Sequence, residues 1–225
     1  GFVDAGKVAG ITTAVMRHGK IAHLESVGMR DLENKLAMTP DTICRVVSMI
    51  KPITSVATMI LYEAGEFVLT DPVSDYLPQF KDVQVHVSGP ADNPQVEAPK
   101  RGPTIQDLLR NTAGLTHTDD GSVCGTLYAS ADVACPGLTQ DEYLTRWASV
   151  PLKYQPGEGY NYSPSYTLLP HLIEVVSGTS FEAFIQEKVL SPLGMMDSGL
   201  QVPSDKLDRF ATLYDWSSDQ GLKVA

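Results

Sequence analysis

Ser48 and Lys51 are the two residues of this sequence whose types and spacing best fit nucleophilic catalysis. Positions three apart on a helix share one face, so the lysine amine could take the proton of the serine hydroxyl. A lysine does this only where its pKa falls well below the free value of about 10.4, and burial in a dry site has that effect. A helix N-terminus here would also stabilise an oxyanion, with the Ser48 amide as one donor.

The Ser-x-x-Lys spacing is weak evidence on its own, because one such pair is expected by chance in a chain of this composition. The structural alternative is a serine that caps a helix and a lysine that reaches to solvent. The position of the pair favours chemistry. It follows a candidate strand and opens residues 48–64, the most apolar helical pattern of the chain, where a lysine would be costly for packing alone.

A second candidate element is the segment Tyr160-Asn161-Tyr162-Ser163, which follows the turn-rich residues 155–158. The phenol of Tyr162, held near Lys51, could relay the serine proton and later protonate a leaving group. The alternative is that these tyrosines simply cover a core. His117 and Tyr128, in a long loop, are further candidates for lining a substrate pocket, and Ser163 is a candidate for contacting substrate.

The remaining pattern predicts a β-rich start followed by a mainly helical middle. Residues 10–17 and 20–28 form a predicted hairpin joined at His18-Gly19, residues 42–46 a third strand, and residues 48–64 a helix buried on all faces and ended by Gly65. The other predicted helices and loops are a turn and short helix over 69–80, loops over 87–101 and 117–139, and helices over 104–111, 140–148, 166–177 and 180–189.

Several ordered segments resemble the class C β-lactamase and penicillin-recognising family, and most closely its family VIII carboxylesterases. Residues 45–52, Arg-Val-Val-Ser-Met-Ile-Lys-Pro, look like the nucleophile motif of that family. The further similar segments are 108–115, Pro156-Gly157-Glu158 followed by Tyr162-Ser163, 191–195 and 208–214. The resemblance runs from about residue 8 to the end, and it implies Ser48 as nucleophile with Lys51 and Tyr162 as the general-base pair.

The resemblance also implies a fold class: α+β, an α/β sandwich of the β-lactamase/transpeptidase-like type, with an antiparallel sheet flanked by helices plus a mainly helical region. The implied domains are 1–65, with the first strands and the nucleophile helix, 66–190, mainly helical and carrying the tyrosine, and 191–225, which returns toward the α/β domain. A third family motif, Lys-Thr-Gly or a variant on a C-terminal edge strand, has no match after Tyr162. We therefore expect the C-terminal strands and the second oxyanion donor to lie outside this chain, in a longer protein.

The predicted function is that of a serine carboxylesterase that forms an acyl-enzyme on Ser48. Pro164 stands where the second family motif often has asparagine, which argues against efficient lactam hydrolysis. A β-lactamase, a D-amino-acid peptidase or an acyltransferase of the same family are the alternatives within that class. A non-catalytic scaffold or binding module is the alternative outside it, although a scaffold has no need of all three catalytic residue types.

Composition bounds the partners. The net charge of −10 and the pI of about 4.8 argue against nucleic acid and anionic membranes, so the expected partners are a small ester substrate and the remainder of the same chain. The sequence shows no zinc spacing, and no metal or cofactor is expected. Cys124 and Cys135 could be bridged in a periplasmic or secreted protein, whereas three free thiols fit the cytoplasm. The compartment, the oligomeric state and the particular ester stay open.

Overall fold

The computed structural model describes residues 1–118, 120–133 and 135–225. The chain forms two compact units. Unit 1 comprises Gly1–Ser48 and Met195–Ala225, and unit 2 comprises Met49–Gly194. The helix that follows Ser48 thus belongs to unit 2, and the division into three domains stays a prediction.

A β-hairpin forms the first part of unit 1. Strand β1 (Gly10–Arg17) pairs antiparallel with β2 (Lys20–Asp31). His18 and Gly19, which join the strands, have φ angles of 49° and 72°, as a two-residue turn with matching twist requires. Strand β2 also pairs with the short β3 (Leu36–Ala37). The predicted hairpin is confirmed.

The third strand predicted over residues 42–46 is wrong. The Thr42 hydroxyl accepts a hydrogen bond from the Thr39 amide at 3.0 Å, which closes a turn just before this segment. Ile43 then makes a single parallel bridge with Phe210, and the backbone does not continue as a strand. Because β-strands depend on pairing with a neighbour, a segment with a single bridge among the described residues stays irregular.

The C-terminal part of unit 1 carries a 3-10 helix (Ser204–Arg209) and a second hairpin. Its strands, β6 (Tyr214–Ser217) and β7 (Gly221–Val224), pair antiparallel. The Thr212 amide donates to the Arg30 carbonyl at 2.9 Å, which ties this segment to the end of β2. Unit 1 is thus assembled from two separate stretches of the chain.

Helix α1 (Ile50–Glu63) opens unit 2. Pro52 is tolerated because it lies in the first turn, and Gly65, with a φ of 80°, follows the C-terminal end as predicted. The expectation of burial on all faces is wrong, since the side chains of Met49 and Val56 are 72% and 48% exposed. The buried residues of α1 lie along one side of the helix: Thr54, Ala57, Thr58 and Leu61.

Helices predicted from periodicity are confirmed in the rest of unit 2. They are α2 (Ile105–Arg110), α4 (Gln140–Ser149), α5 (Ser165–Ser177) and α6 (Phe181–Ile185), which continues as a π-helix over Gln186–Leu190. The predicted segment at 69–80 forms two 3-10 turns, Val73–Asp75 and Pro78–Phe80.

No single helix among the described residues is long and apolar enough to cross a membrane. Only α5 together with the helical segment after it, Phe181–Leu190, reaches that length and apolar character, and the two are bent by 83°.

Two predicted loops contain regular structure. The first, over residues 87–101, holds part of a small hairpin of β4 (Val85–Ser88) and β5 (Gln95–Glu97). The second, over residues 117–139, holds α3 (Val123–Ser130). The Ser122 hydroxyl caps α3 by accepting from the Gly125 amide at 3.1 Å, a cap signal that a loop prediction overlooks. Residues 119 and 134 of this predicted loop lie outside the described residues.

Candidate active site

Ser48 lies at the centre of a short 3-10 helix, Val47–Met49, that leads directly into α1. Its side chain is exposed. Val47, immediately before it, has a φ of 43°, an unfavourable backbone conformation for a β-branched residue. Such strain occurs often at functional positions, because the surrounding structure must hold it there. The backbone on the N-terminal side of Ser48 is therefore held in a specific, costly conformation.

Lys51 and Tyr162 come together within unit 2, although they are distant in sequence. The Lys51 amine lies 4.7 Å from the centre of the Tyr162 ring and 5.8 Å from the centre of the Tyr166 ring. Both distances are within the range of cation–π contacts. Tyr162 is 45% exposed, so its side chain is accessible from solvent. The structure thus places the predicted lysine and tyrosine side by side.

One residue, Asn111, anchors both neighbours of Tyr162. The Asn161 amide donates to the Asn111 carbonyl at 3.1 Å, and the Ser163 amide donates to the Asn111 side-chain oxygen at 3.3 Å. Asn111 can do both because it ends α2 in the left-handed conformation, with a φ of 57°. The position of the Tyr162 backbone is therefore fixed from the end of α2.

Tyr166, the second ring near the Lys51 amine, is held by two hydrogen bonds of its hydroxyl. Its hydroxyl donates to the Leu109 carbonyl at 2.9 Å and lies 3.0 Å from the hydroxyl of Ser55 on α1. These contacts connect α5, α2 and α1 close to Lys51. These partly buried hydrogen bonds restrain the turn of α1 that carries Ser55, one turn after Lys51.

The predicted substrate-contact residues have different environments. The His117 ring centre lies 6.0 Å from that of Tyr162, beside the lysine–tyrosine pair. Ser163 is 2% exposed and its hydroxyl lies 2.7 Å from that of Ser165, so it serves an internal contact. Tyr128 is fully buried against Trp147, at 4.8 Å between ring centres, and burial raises the pKa of its phenol. Both side chains are buried in this structure, and a role in substrate contact stays a prediction for Ser163 and Tyr128.

Asp107 stabilises the start of α2, the helix that ends at Asn111. It forms a capping box with Thr104 and a bidentate ion pair with Arg101, and it accepts from the Thr112 hydroxyl at 2.9 Å. Burial alone would raise the pKa of this carboxyl, but the hydrogen bonds from Arg101, Thr104 and Thr112 outweigh burial and lower it. Asp107 is therefore an anion fixed at the start of the helix that ends at Asn111.

Sequence reasoning missed the residues that position the site: Asn111, Asn161 and Tyr166. The one available signal was an asparagine at the end of a predicted helix, within a segment already similar to the family. Asn161 and Tyr166 carried no signal of their own, because their partners are backbone carbonyls and hydroxyls of distant segments. Such contacts leave no periodic pattern in a sequence.

The described part of the chain holds no group of three or more His, Cys, Asp or Glu side chains that could bind a metal ion. All three cysteines are free thiols: Cys44 is exposed, Cys124 is buried and Cys135 is partly buried. Burial raises the pKa of the Cys124 thiol to about 11. A bridge between Cys124 and Cys135 is thus not formed in this structure.

Known proteins show the same fold. EstCE1, described as a hydrolase with promiscuous acyltransferase activity, superposes with a TM-score of 0.85 at 27% identity, over 100% of this chain and 56% of that one. Esterase EstB of Burkholderia gladioli is 33% identical over 211 residues, which is 92% of this chain and 50% of EstB. Lovastatin esterase of Penicillium rubens is 28% identical over 228 residues, 97% of this chain and 55% of that protein.

The similarity to EstCE1 identifies the fold. It is the β-lactamase/transpeptidase-like fold, with helices and antiparallel sheets, as the resemblance implied. The family model described as Beta-lactamase matches residues 1–225, and the chain belongs to that family. The chain spans about half the length of the relatives that it matches.

Proposed function

We propose that the protein is a serine hydrolase that cleaves carboxylic esters through an acyl-enzyme on Ser48. The observation that carries this proposal is the Lys51 amine at 4.7 Å from the Tyr162 ring, since it pairs the two side chains that a Ser-x-x-Lys mechanism needs as bases. Two of the relatives are named esterases, which favours an ester as substrate.

In the proposed reaction the Ser48 hydroxyl transfers its proton to the Lys51–Tyr162 pair while its oxygen bonds to the ester carbonyl carbon. The negative charge that moves to the carbonyl oxygen is stabilised by the Ser48 amide at the helix start. When the tetrahedral intermediate collapses, the ester C–O bond breaks and Tyr162 protonates the departing alcohol. Water, deprotonated by the same pair, then attacks the acyl carbon. The bond between that carbon and the Ser48 oxygen breaks, the serine oxygen takes the proton from the pair, and the carboxylic acid is released.

Acyl transfer is a second candidate function at the same site. If an alcohol rather than water attacks the acyl-enzyme, the product is a new ester and the proton path is unchanged. The specific observation in favour is the similarity to EstCE1, a hydrolase that also has acyltransferase activity. Pro164, which has no side-chain donor, makes lactam hydrolysis the weaker candidate.

The decisive experiment is to trap the acyl group on Ser48. The full-length protein is mixed with p-nitrophenyl butyrate, quenched, digested and examined by mass spectrometry, with a chromogenic cephalosporin in a parallel assay. We expect the added mass on the peptide that contains Ser48, and turnover reduced at least ~1,000-fold in Ser48→Ala and ~100-fold in Tyr162→Phe. Equal turnover by wild type and Ser48→Ala would end the nucleophile assignment.

A further inference from the structure

A second charged group, the carboxylate of Asp120, lies at the centre of a hydrogen-bonded cluster in unit 2. It accepts from the Lys153 amine at 2.6 Å, from the Ser122 amide at 2.9 Å and hydroxyl at 2.5 Å, and from the Thr116 hydroxyl. Burial alone would raise the pKa of Asp120, but the hydrogen bonds from Lys153, Ser122 and Thr116 outweigh it and hold this pKa well below its usual range. The carboxylate is therefore ionised and can only accept hydrogen bonds.

Because the Thr116 hydroxyl donates its hydrogen bond to Asp120, the Thr116 oxygen can accept a hydrogen bond from another donor. That donor is the side-chain amide of Asn161, at 2.7 Å. The same amide nitrogen also donates to the Leu115 carbonyl at 3.2 Å, which can only accept. Both acceptors need a donor, so both require that the NH₂ group of the Asn161 side chain, and not its oxygen, faces Leu115 and Thr116. Thr116 is fully buried, so no water competes for this link.

Asn161 directly precedes Tyr162, and His117, whose ring lies beside Tyr162, directly follows Thr116. The chain of hydrogen bonds from Asp120 through Thr116 to Asn161 therefore ends at the two rings of the candidate site. The Asp120 carboxylate is closely packed against α3, since a Cβ added to Gly125 would lie 2.3 Å from this carboxylate and 2.8 Å from the His117 carbonyl.

We propose that Thr116 and Asn161, oriented by Asp120, are positioning residues that hold the Tyr162 phenol in place for proton transfer. This proposal rests on the proposed function and deepens it. The Asn111 contacts fix the backbone on both sides of Tyr162. The Thr116–Asn161 link also fixes the side chain of Asn161, the residue immediately before Tyr162. A small displacement of a proton-transfer group slows the reaction without weakening substrate binding in proportion.

The test compares Thr116→Val, which keeps the shape but removes the hydroxyl, with Thr116→Ser, which keeps the hydroxyl. We expect kcat for p-nitrophenyl butyrate to fall ~10-fold in Thr116→Val with KM changed less than ~2-fold, and to return toward wild type in Thr116→Ser. Asn161→Ala removes the other end of the link and should give the same result if Thr116→Val does not fold. Thr126→Val is the matched control, because it is the same substitution on α3 and removes an exposed hydroxyl that donates only to the Ser122 carbonyl, outside the Asp120–Thr116–Asn161 link.

The Tyr162→Phe background separates positioning from general damage. If Thr116 acts through Tyr162, then Thr116→Val causes no further loss in that background, whereas a purely structural effect lowers kcat equally in both. An equal loss in both backgrounds, a wild-type kcat in Thr116→Val, or an equal loss in Thr126→Val would overturn the inference alone. Turnover that does not depend on Ser48 would instead overturn the proposed function, and this inference with it.

Discussion

The two units of this protein are stabilised in different ways. Every buried apolar side chain among the described residues lies in unit 2, while residues 1–48 and 195–225, all of them described, contain no buried residue. Unit 1 is ordered by backbone pairing in its hairpins, and several of its apolar side chains, such as Val15, Met16 and Ile21, are more than half exposed. Lys51 and Tyr162 thus lie in the unit whose side chains form a core within this chain, and Ser48, the proposed nucleophile, ends a stretch that holds no buried side chain here.

The largest difference between the units should appear when leucine side chains are truncated. Leu172 on α5 is fully buried, so Leu172→Ala leaves a cavity and should lower the free energy of unfolding by about 2–5 kcal/mol. Leu24 on β2 is 44% exposed, and Leu24→Ala should cost less than about 1 kcal/mol, because less apolar surface is lost. Urea denaturation followed by circular dichroism measures both.

Equal losses for the two leucine variants would contradict the comparison, since they would mean that the side chain of Leu24 is as well packed as that of Leu172. Hydrogen exchange provides an independent measurement. Backbone amides of α5 should exchange more slowly than those of β1, because opening α5 exposes its buried leucines.

A smaller effect is expected from two bidentate carboxylate–arginine pairs, one in each unit. Asp107 in unit 2 has a 5% exposed side chain, whereas Asp197, paired with Arg209 in unit 1, is 48% exposed. Asp107→Asn leaves buried hydrogen-bond donors without their acceptor and should cost about 1–3 kcal/mol. Asp197→Asn should cost less, because water screens the exposed pair.

The pH dependence of the free energy of unfolding tests whether the ionised Asp107 carboxylate stabilises the folded protein. The folded protein lowers the pKa of this carboxyl, so its contribution is fully present above the unfolded pKa of about 3.9 and is lost as the pH falls through the lower folded value. The Asp107→Asn variant should therefore lose less stability than wild type between pH 5 and pH 2, as measured by thermal unfolding at each pH. A wild-type slope in this variant would contradict the assignment.

How much of this structure the sequence could predict depends on the range of the interactions. The first hairpin was predictable because His18-Gly19 is a local turn signal, and α5 because its apolar periodicity is strong. The strand at 42–46 was not, because a strand needs a partner and only Ile43 has one. Helix α3 was missed because its cap, Ser122, lies in a loop-like composition.

The residues of the candidate site also fall into two groups, those predicted from local patterns and those positioned by long-range contacts. Ser48 and Lys51 were predicted from their spacing together with their place at the start of an apolar helical pattern, and all three residues, Tyr162 included, from the resemblance of their segments to a known family. The Asn111 and Thr116 contacts that position Tyr162 depend on the approach of segments far apart in sequence, which composition and spacing do not encode. Tyr128 and Ser163 were the right residue types for a pocket, but they are buried in the structure.

The smallest predicted effect concerns Val47, the strained residue before the proposed nucleophile Ser48. Val47 has a positive φ, and Val46, its neighbour of the same type, does not. Val47→Gly relieves strain of about 1–3 kcal/mol but adds freedom to the unfolded chain worth about 0.5–1 kcal/mol, so stability should stay equal or rise slightly. Val46→Gly only adds that freedom, and urea denaturation should show a loss of about 0.5–1 kcal/mol.

The same pair of variants tests what the strain does for Ser48. If the strained backbone of Val47 holds Ser48 in the orientation that the proposed reaction needs, Val47→Gly should lower kcat several-fold while preserving stability, because glycine allows many more backbone conformations at that point. Val46→Gly should then show the smaller change in kcat and the larger change in stability. The reverse order would mean that the strain is a by-product of the turn into α1 and that Ser48 is oriented by its later neighbours.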